Sequence, residues 1–231
     1  MRILALETTA EACSVALLNQ KNQISYFEHC FRKHAQRILP LIKKILENEE
    51  VTLKKIDAIA FSRGPGNFTG VRIGASIAQG LALGSNIPLI GISTLEIIAE
   101  RAWREEGAQR ILVAMNAKIG EIYWAEYQRN LQESWIGENT EAILNIETIV
   151  NRINNLSQTW TCVGSEWMNR SELVAVSSPT LIKTKITLPH AKDILPLAKQ
   201  ILSEKVSSKI EDVAPRYLRN IELYKKITTT P

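Results

Sequence analysis

The chain is poor in the residues that most site chemistry requires. Its 231 residues include only three histidines and three cysteines. Cys13, Cys30 and Cys162 are scattered, odd in number and not paired at metal-ligand spacing, which fits a reducing cytoplasmic setting. His34 is followed four positions later by Ile38, and His29 and His190 have no matching neighbours, so no metal site is expected. No Gly-x-Ser-x-Gly elbow is present, which removes the common serine-hydrolase reading. Long apolar runs are also missing: the run from Met1 stops at Glu7, too short for a signal peptide or a membrane span. Glycines are present, but no phosphate-binding fingerprint is complete. Val71, not lysine, follows Gly70, and Gly64, Gly66 and Gly70 are spaced wrongly for a dinucleotide turn.

What remains is an ordinary globular composition, 45% hydrophobic and 23% charged, with a net charge of +4 that permits a role near RNA without indicating one. Two similar openings suggest a duplication. Ile3–Glu7 runs into a polar turn and returns through Ser14–Leu18; Ile111–Asn116 runs into a turn at Lys118–Gly120 and returns through Glu121–Ala125. A third strand follows each, Gln23–Phe27 and, more weakly, Gln132–Ile136. The first half continues with a helix striped by Ile38, Leu41, Ile42 and Ile45, which starts upstream of Pro40 or bends there. The buried strand Ala58–Phe61, the glycine loop, a helix from about Phe68 to Gly84, the strand Pro88–Ile92 and a helix from about Leu95 complete it. The second half repeats this order in shortened form, through Ile146–Ile153, Trp160–Val163, Pro179–Ile182 and Ala191–Leu202. The pattern implies two α/β lobes, residues 1–104 and a reduced lobe 105–231, each a mixed sheet flanked by helices.

Gly70, Gly74 and Ala78 share one helix face, beside a ridge of Ile73, Ile77 and Leu81. Each interior glycine costs roughly 0.5–1 kcal/mol relative to alanine. A bare face is worth that cost where another backbone comes close, either the chain's own sheet or a partner; with Leu39, Ile42 and Leu46 of the preceding helix, a helix-pair interface is expected. The loop also allows a weak anion or nucleotide site at Glu7, Thr8, Thr9, Gly66 and Asn67, with Asn67 as helix cap. Glu7 could act as a Mg²⁺ carboxylate in a phosphotransferase, but Asn116 supplies no second one, and Gly164-Ser165-Glu166 is a thin adenosine loop. Cys13 reads as a small buried hydrophobe. Arg216, Arg219, Lys225 and Lys226, interleaved with Tyr217 and Tyr224, are either an RNA contact or a solvated tail.

The run Gly64-Pro65-Gly66-Asn67-Phe68-Thr69-Gly70-Val71-Arg72-Ile73-Gly74 resembles the signature of the TsaB family of tRNA threonylcarbamoyladenosine biosynthesis subunits. Gly80-Leu81-Ala82, Ile92-Ser93-Thr94-Leu95, Leu6-Glu7-Thr8-Thr9, Lys33-His34, Glu121-Ile122-Tyr123-Trp124 and Pro215–Arg219 support the likeness. The resemblance implies an ASKHA (actin-like, ribonuclease-H-like) fold in which the last helix can pack back on the first lobe. It implies a cytoplasmic, non-catalytic subunit that pairs with a TsaD-type catalytic subunit, works with a TsaE-type ATPase and reaches tRNA through the complex. ATP and Mg²⁺ would serve the complex, with no cofactor assigned to this chain. The same first-lobe helices would form a homodimer when the chain is alone, through Leu39, Ile42, Phe68, Val71, Ile73 and Ile77, with Arg72 adding a polar contact. Two positions depart from the family pattern: Glu7 stands where aspartate is usual, and Asn116-Ala117-Lys118 where Asp-Ala-Arg is usual. An independent phosphotransferase using Glu7 and a plain homodimeric binding module are the competing expectations.

Overall fold

The computed structural model describes residues 1–176, 179–204 and 213–218. The first sheet holds β1 (Arg2–Glu7), β2 (Ala12–Asn19), β3 (Asn22–His29), β4 (Ala58–Ser62) and β5 (Leu89–Ile92) in the order β3-β2-β1-β4-β5. β1 pairs antiparallel with β2 and parallel with β4, and β4 runs parallel to β5. The second sheet holds β6 (Arg110–Asn116), β7 (Ile122–Arg129), β8 (Trp135–Ile136), β9 (Ala142–Leu144), β10 (Thr159–Val163) and β11 (Thr180–Lys183). Its order is β11-β10-β6-β7-β8, with β9 also paired to β7. Counting from each opening strand, both sheets read third-second-first-fourth-fifth. That repeated order is the duplicated ASKHA fold. The second copy is reduced, since its third strand shrinks to two residues and β9, which the sequence pattern did not announce, pairs further along β7.

Central strands are buried on both faces, so period-2 alternation sorts side chains between two cores instead of between core and water. Leu4, Leu6, Val15, Ile59 and Phe61 meet α1 (His34–Asn48) and α2 (Phe68–Ser85) on one face of the first sheet. Ile3, Ala5, Ala16, Ala58 and Ala60 point to the other, toward Ile194, Leu195 and Ala198. Ala16, Ala5 and Ala60 lie side by side across three strands. Their short side chains let α7 (Ala191–Ser203) settle close to the sheet.

α3 (Thr94–Glu106) belongs by sequence to the first half but packs Leu95, Ile98, Ala99 and Ala102 against Ile111, Val113 and Tyr127 of the second sheet. The opposite face of that sheet is covered by α4 (Ile146–Asn154), α5 (Glu166–Asn169) and α6 (Ser171–Val174) around Trp124 and Trp167. α3 and α7 thus each lie on the sheet of the other half. A bidentate ion pair joins them, Arg104 Nε to Asp193 Oδ1 at 2.5 Å and Nη2 to Oδ2 at 3.1 Å. α1 starts at His34, so Pro40 lies within it, on the exposed side.

Candidate functional site

The turn after β1 is sealed. Glu7, Thr8 and Thr9 are each 1% exposed. Glu7 Oε1 accepts from the Thr9 amide at 2.5 Å and the Thr9 hydroxyl at 2.6 Å, while Oε2 is buried without a partner. Burial pushes the Glu7 carboxyl above its usual range. Thr9 continues to Thr94 and Ser62, which share a 2.8 Å hydrogen bond. The seal is the glycine face of α2. Thr8 donates to the Gly70 carbonyl at 2.8 Å, and the Asn67 amide donates to the Thr9 carbonyl at 2.7 Å. A Cβ at Gly66 would stand 2.5 Å from the Thr9 carbonyl oxygen, one at Gly74 2.5 Å from the Thr8 hydroxyl, and one at Gly70 would overlap the Thr8 carbonyl. The small-residue face expected to meet a partner therefore meets the chain's own first turn. Asn67 caps α2 by accepting from Thr69 N at 3.2 Å.

The corresponding turn after β6 is open. Asn116 accepts from Lys118 N at 2.9 Å and donates to Glu166 at 3.3 Å, and Ile119 at the tip is 81% exposed. A cavity of about 360 Å³ lies between this turn, the start of α2 and residues 216–218. Arg72, Lys118 and Arg216 supply its charge, and no carboxylate lines it. The Mg²⁺ that an actin-like kinase would hold does not fit these residues: Glu7 is 1% exposed and away from the cavity lining, and Asn116 offers no charge. Among the described residues no three His, Cys, Asp or Glu side chains converge as a metal cluster. Cys13, Cys30 and Cys162 are free and buried, and burial pushes the Cys13 thiol up to about 12, far from reactive thiolate.

The junction between the halves carries a polar cluster that the sequence reading missed. Glu141 accepts from Ser93 and, at 2.5 Å, from Tyr127, and lies 3.4 Å from Arg216. Glu138 pairs with Arg63 at 2.6 Å and with Arg216. Glu96, partly buried nearby, is pushed up to about 7 by burial and then by the charges of Glu138 and Glu141. One local signal was available, since Ser93-Thr94-Leu95-Glu96 has the spacing of a helix-capping box. Ser93 does cap α3, accepting from Leu95 N at 3.2 Å. Of the basic tail, Arg216 is spent on this junction, and Tyr217 accepts from Arg72 at 3.0 Å beside Phe68. Arg219, Tyr224, Lys225 and Lys226 lie outside the described residues.

The outer face of α1 and α2 gathers most of the expected contact residues. Leu39 is 50% and Phe68 53% exposed, Ile73 and Ile77 are half-buried, and the Arg72 guanidinium stacks on Phe68 at 3.6 Å. Ile42 and Val71 are instead buried, at 4% and 2%, Ile42 in the core shared with β1 and β4 and Val71 beside Gly64 at the wall of the cavity. Ile42 supports the face from beneath. Two shallow apolar grooves cross it, one along Ala35, Ile73 and Ile77, the other along Leu39, Leu46 and Leu81. Gly80, on the same outer stripe, has no atom within 4 Å of where a Cβ would stand.

No helix among the described residues is long and apolar enough to cross a membrane. The family described as TsaD, tRNA N6-adenosine threonylcarbamoyltransferase, matches residues 27–225. The tRNA threonylcarbamoyladenosine biosynthesis protein TsaB of Escherichia coli (strain K12) is 48% identical over 227 residues, covering 98% of each chain. TsaB of Haemophilus influenzae is 37% identical over 234 residues, 98% of this chain and 97% of its own. Among solved structures, YeaZ from Pseudomonas aeruginosa superposes with a TM-score of 0.82 at 37% identity, covering 94% of this chain and 99% of its own. With its duplicated sheets and these relatives along nearly its whole length, the chain belongs to the TsaB family, within the wider TsaD family.

Proposed function

We propose that this chain is a non-catalytic, cytoplasmic subunit of the machinery that makes threonylcarbamoyladenosine in tRNA, docking through its α1–α2 face onto a TsaD-type catalytic subunit. The relatives' names supply the pathway. The observation that carries the subunit role is the contrast between a sealed first turn and an open apolar helix face. Leu39, Phe68, Ile73 and Ile77, with Arg72 on Phe68, form the contact, Ile42 holds it from beneath, and Val71 anchors the start of α2. The same face would pair two copies when the catalytic subunit is absent. ATP and Mg²⁺ serve the complex through its TsaE-type ATPase, and tRNA is reached through the assembly.

Leu39→Glu and Ile77→Glu test the surface. A charge placed in a desolvated helix pair should cost at least about 3 kcal/mol, over a hundredfold in Kd. Calorimetric titration with the TsaD-type subunit should show binding lost, circular dichroism should show the fold retained, and reconstituted tRNA modification should fall with binding. Unaltered affinity in both variants would place the interface elsewhere. Tight Mg-ATP binding by the isolated chain, lost in Glu7→Ala, would favour the phosphotransferase instead. Self-association with no gain in modification on adding the partner would favour the plain binding module.

A further inference from the structure

On the far side of the first sheet, an open groove of about 500 Å³ runs between the β2–β3 hairpin, α3 and α7. Lys21, Lys192 and Lys199 line it with Trp103, and Gln20 and Gln23 stand at the hairpin end. Among the described residues none of the three lysines has a salt-bridge partner. The acidic groups beside them are already engaged. Glu100, 6% exposed at its side chain, accepts from Arg129 at 2.6 Å and Trp135 at 2.7 Å, and Asp193 is held by Arg104. The groove therefore carries three uncompensated positive charges in a chain whose net charge is +4.

Two features mark the local field as positive. Lys192 lies in the first turn of α7, at the positive end of the helix dipole, where an anion is favoured; the acidic residue of that turn, Asp193, is held by Arg104. His190, which caps that helix, has its imidazole pushed down to about 4 by burial and by the charges of Arg101, Arg104 and Lys192. The spacing suits an extended polyanion. Lys192 and Lys199 are seven residues apart, two helical turns or about 10 Å along one face of α7, and Lys21 adds a third point across the groove.

We propose that this groove binds the phosphate backbone of RNA. Choosing RNA among polyanions rests on the tRNA-modification reading above; the charge arithmetic does not. α7 and α1–α2 cover opposite faces of the first sheet, so RNA here leaves the docking face free, and both can be occupied at once. With Arg216 and Tyr217 already engaged inside the protein, the groove offers more unpaired charge than the described part of the tail.

The test compares the intact chain with the Lys21→Gln/Lys192→Gln/Lys199→Gln variant, using fluorescently labelled total tRNA and anisotropy from low to moderate KCl. Loss of three phosphate contacts should weaken binding at least about tenfold at low salt and reduce the slope of log K against log salt by about 2 to 3. Calorimetry with the catalytic partner runs alongside, where the variant should bind as the intact chain does. An unchanged slope with partner binding intact overturns the groove and leaves the subunit reading standing. Absence of partner binding by the intact chain overturns the subunit reading, while the slope still decides the groove. Displacement of tRNA by poly-glutamate at equal charge concentration would assign the groove to an acidic protein and overturn the RNA assignment.

Discussion

The turn after β1 and the turn after β6 hold the same place in the same topology and have opposite fates. In the first, Thr8 and Thr9 are 1% exposed and every buried side-chain oxygen except Glu7 Oε2 is bonded within the chain. In the second, Asn116 stands at the surface and Ile119 is 81% exposed. The difference lies in what covers them. The loop before α2 presents Gly66, and α2 presents Gly70 and Gly74, to the first turn, so both can lie directly on its backbone, whereas among the described residues no comparable helix lies over the second. A duplicated fold offers two loops facing one cleft. A helix lacking side chains on one face removes one of them, and the same helix carries its apolar side chains on the other face.

Breaking the seal should give the largest effect. Gly70→Ala forces a Cβ into the Thr8 carbonyl, backbone against backbone, so neither side can yield by rotating a side chain. A loss of about 3 kcal/mol is expected, read as a lower denaturant midpoint at unchanged m-value. A loss below about 1 kcal/mol would mean that α2 is not clamped to the turn, and the contrast between the two turns would fail.

The sequence made a good part of this legible, for identifiable reasons. The succession of elements and its repeat were legible, because two-faced burial leaves continuous apolar runs that recur at Ile3–Glu7 and Ile111–Asn116. The outward placement of the expected contact residues Leu39 on α1 and Ile73 and Ile77 on α2 was also within reach, since helical spacing sets Ile73 and Ile77 on one stripe. The direction of the glycine face was not. Periodicity shows that Gly70 and Gly74 share a face, but only the tertiary fold shows that Thr8 lies beneath it, 62 residues away in the case of Gly70. The burial of Ile42 and Val71 was not legible for a related reason, since an apolar stripe does not mark where core ends and surface begins. The Glu138–Glu141–Arg216 junction joins residues too far apart for any local pattern, and the exchange of α3 and α7 between sheets leaves no trace in their composition.

Where the halves meet, the contrast can be sharpened by pH. Glu96 is near Glu138, Glu141 and Glu100, with Arg63 the opposing charge, and its folded value of about 7 exceeds the usual 4.5. A raised carboxyl favours the folded state below pH 4.5, and that contribution is lost as pH rises through 7. Stability should therefore fall between pH 5 and pH 8, and Glu96→Gln should recover about 1–2 kcal/mol at pH 8 with little change at pH 5. An equal effect at both values would remove Glu96 from the titration. In the open turn, Asn116→Asp sets a second carboxylate against Glu166, which Arg170 already pairs at 2.9 Å. A loss of about 1 kcal/mol is expected, with no thermal stabilisation by millimolar Mg²⁺. Mg²⁺-dependent stabilisation would show that the open turn holds a latent cation site.

The smallest effect comes from moving the first substitution to the other side of the same helix. Gly80→Ala meets nothing within 4 Å, so the isolated chain should gain about 0.5–1 kcal/mol, the ordinary advantage of alanine over glycine in a helix. One substitution at two positions ten residues apart should thus change sign with the face it is on. Gly80 also distinguishes a face evolved for contact from one merely left exposed. If the outer stripe of α2 receives a partner helix at close range, the more stable variant will bind the TsaD-type subunit less tightly, because the added methyl holds the two backbones apart. If affinity is unchanged while stability rises, the partner leans on Leu39, Phe68 and Ile73 without approaching the far end of α2, and the contact narrows to the amino-terminal half of the helix.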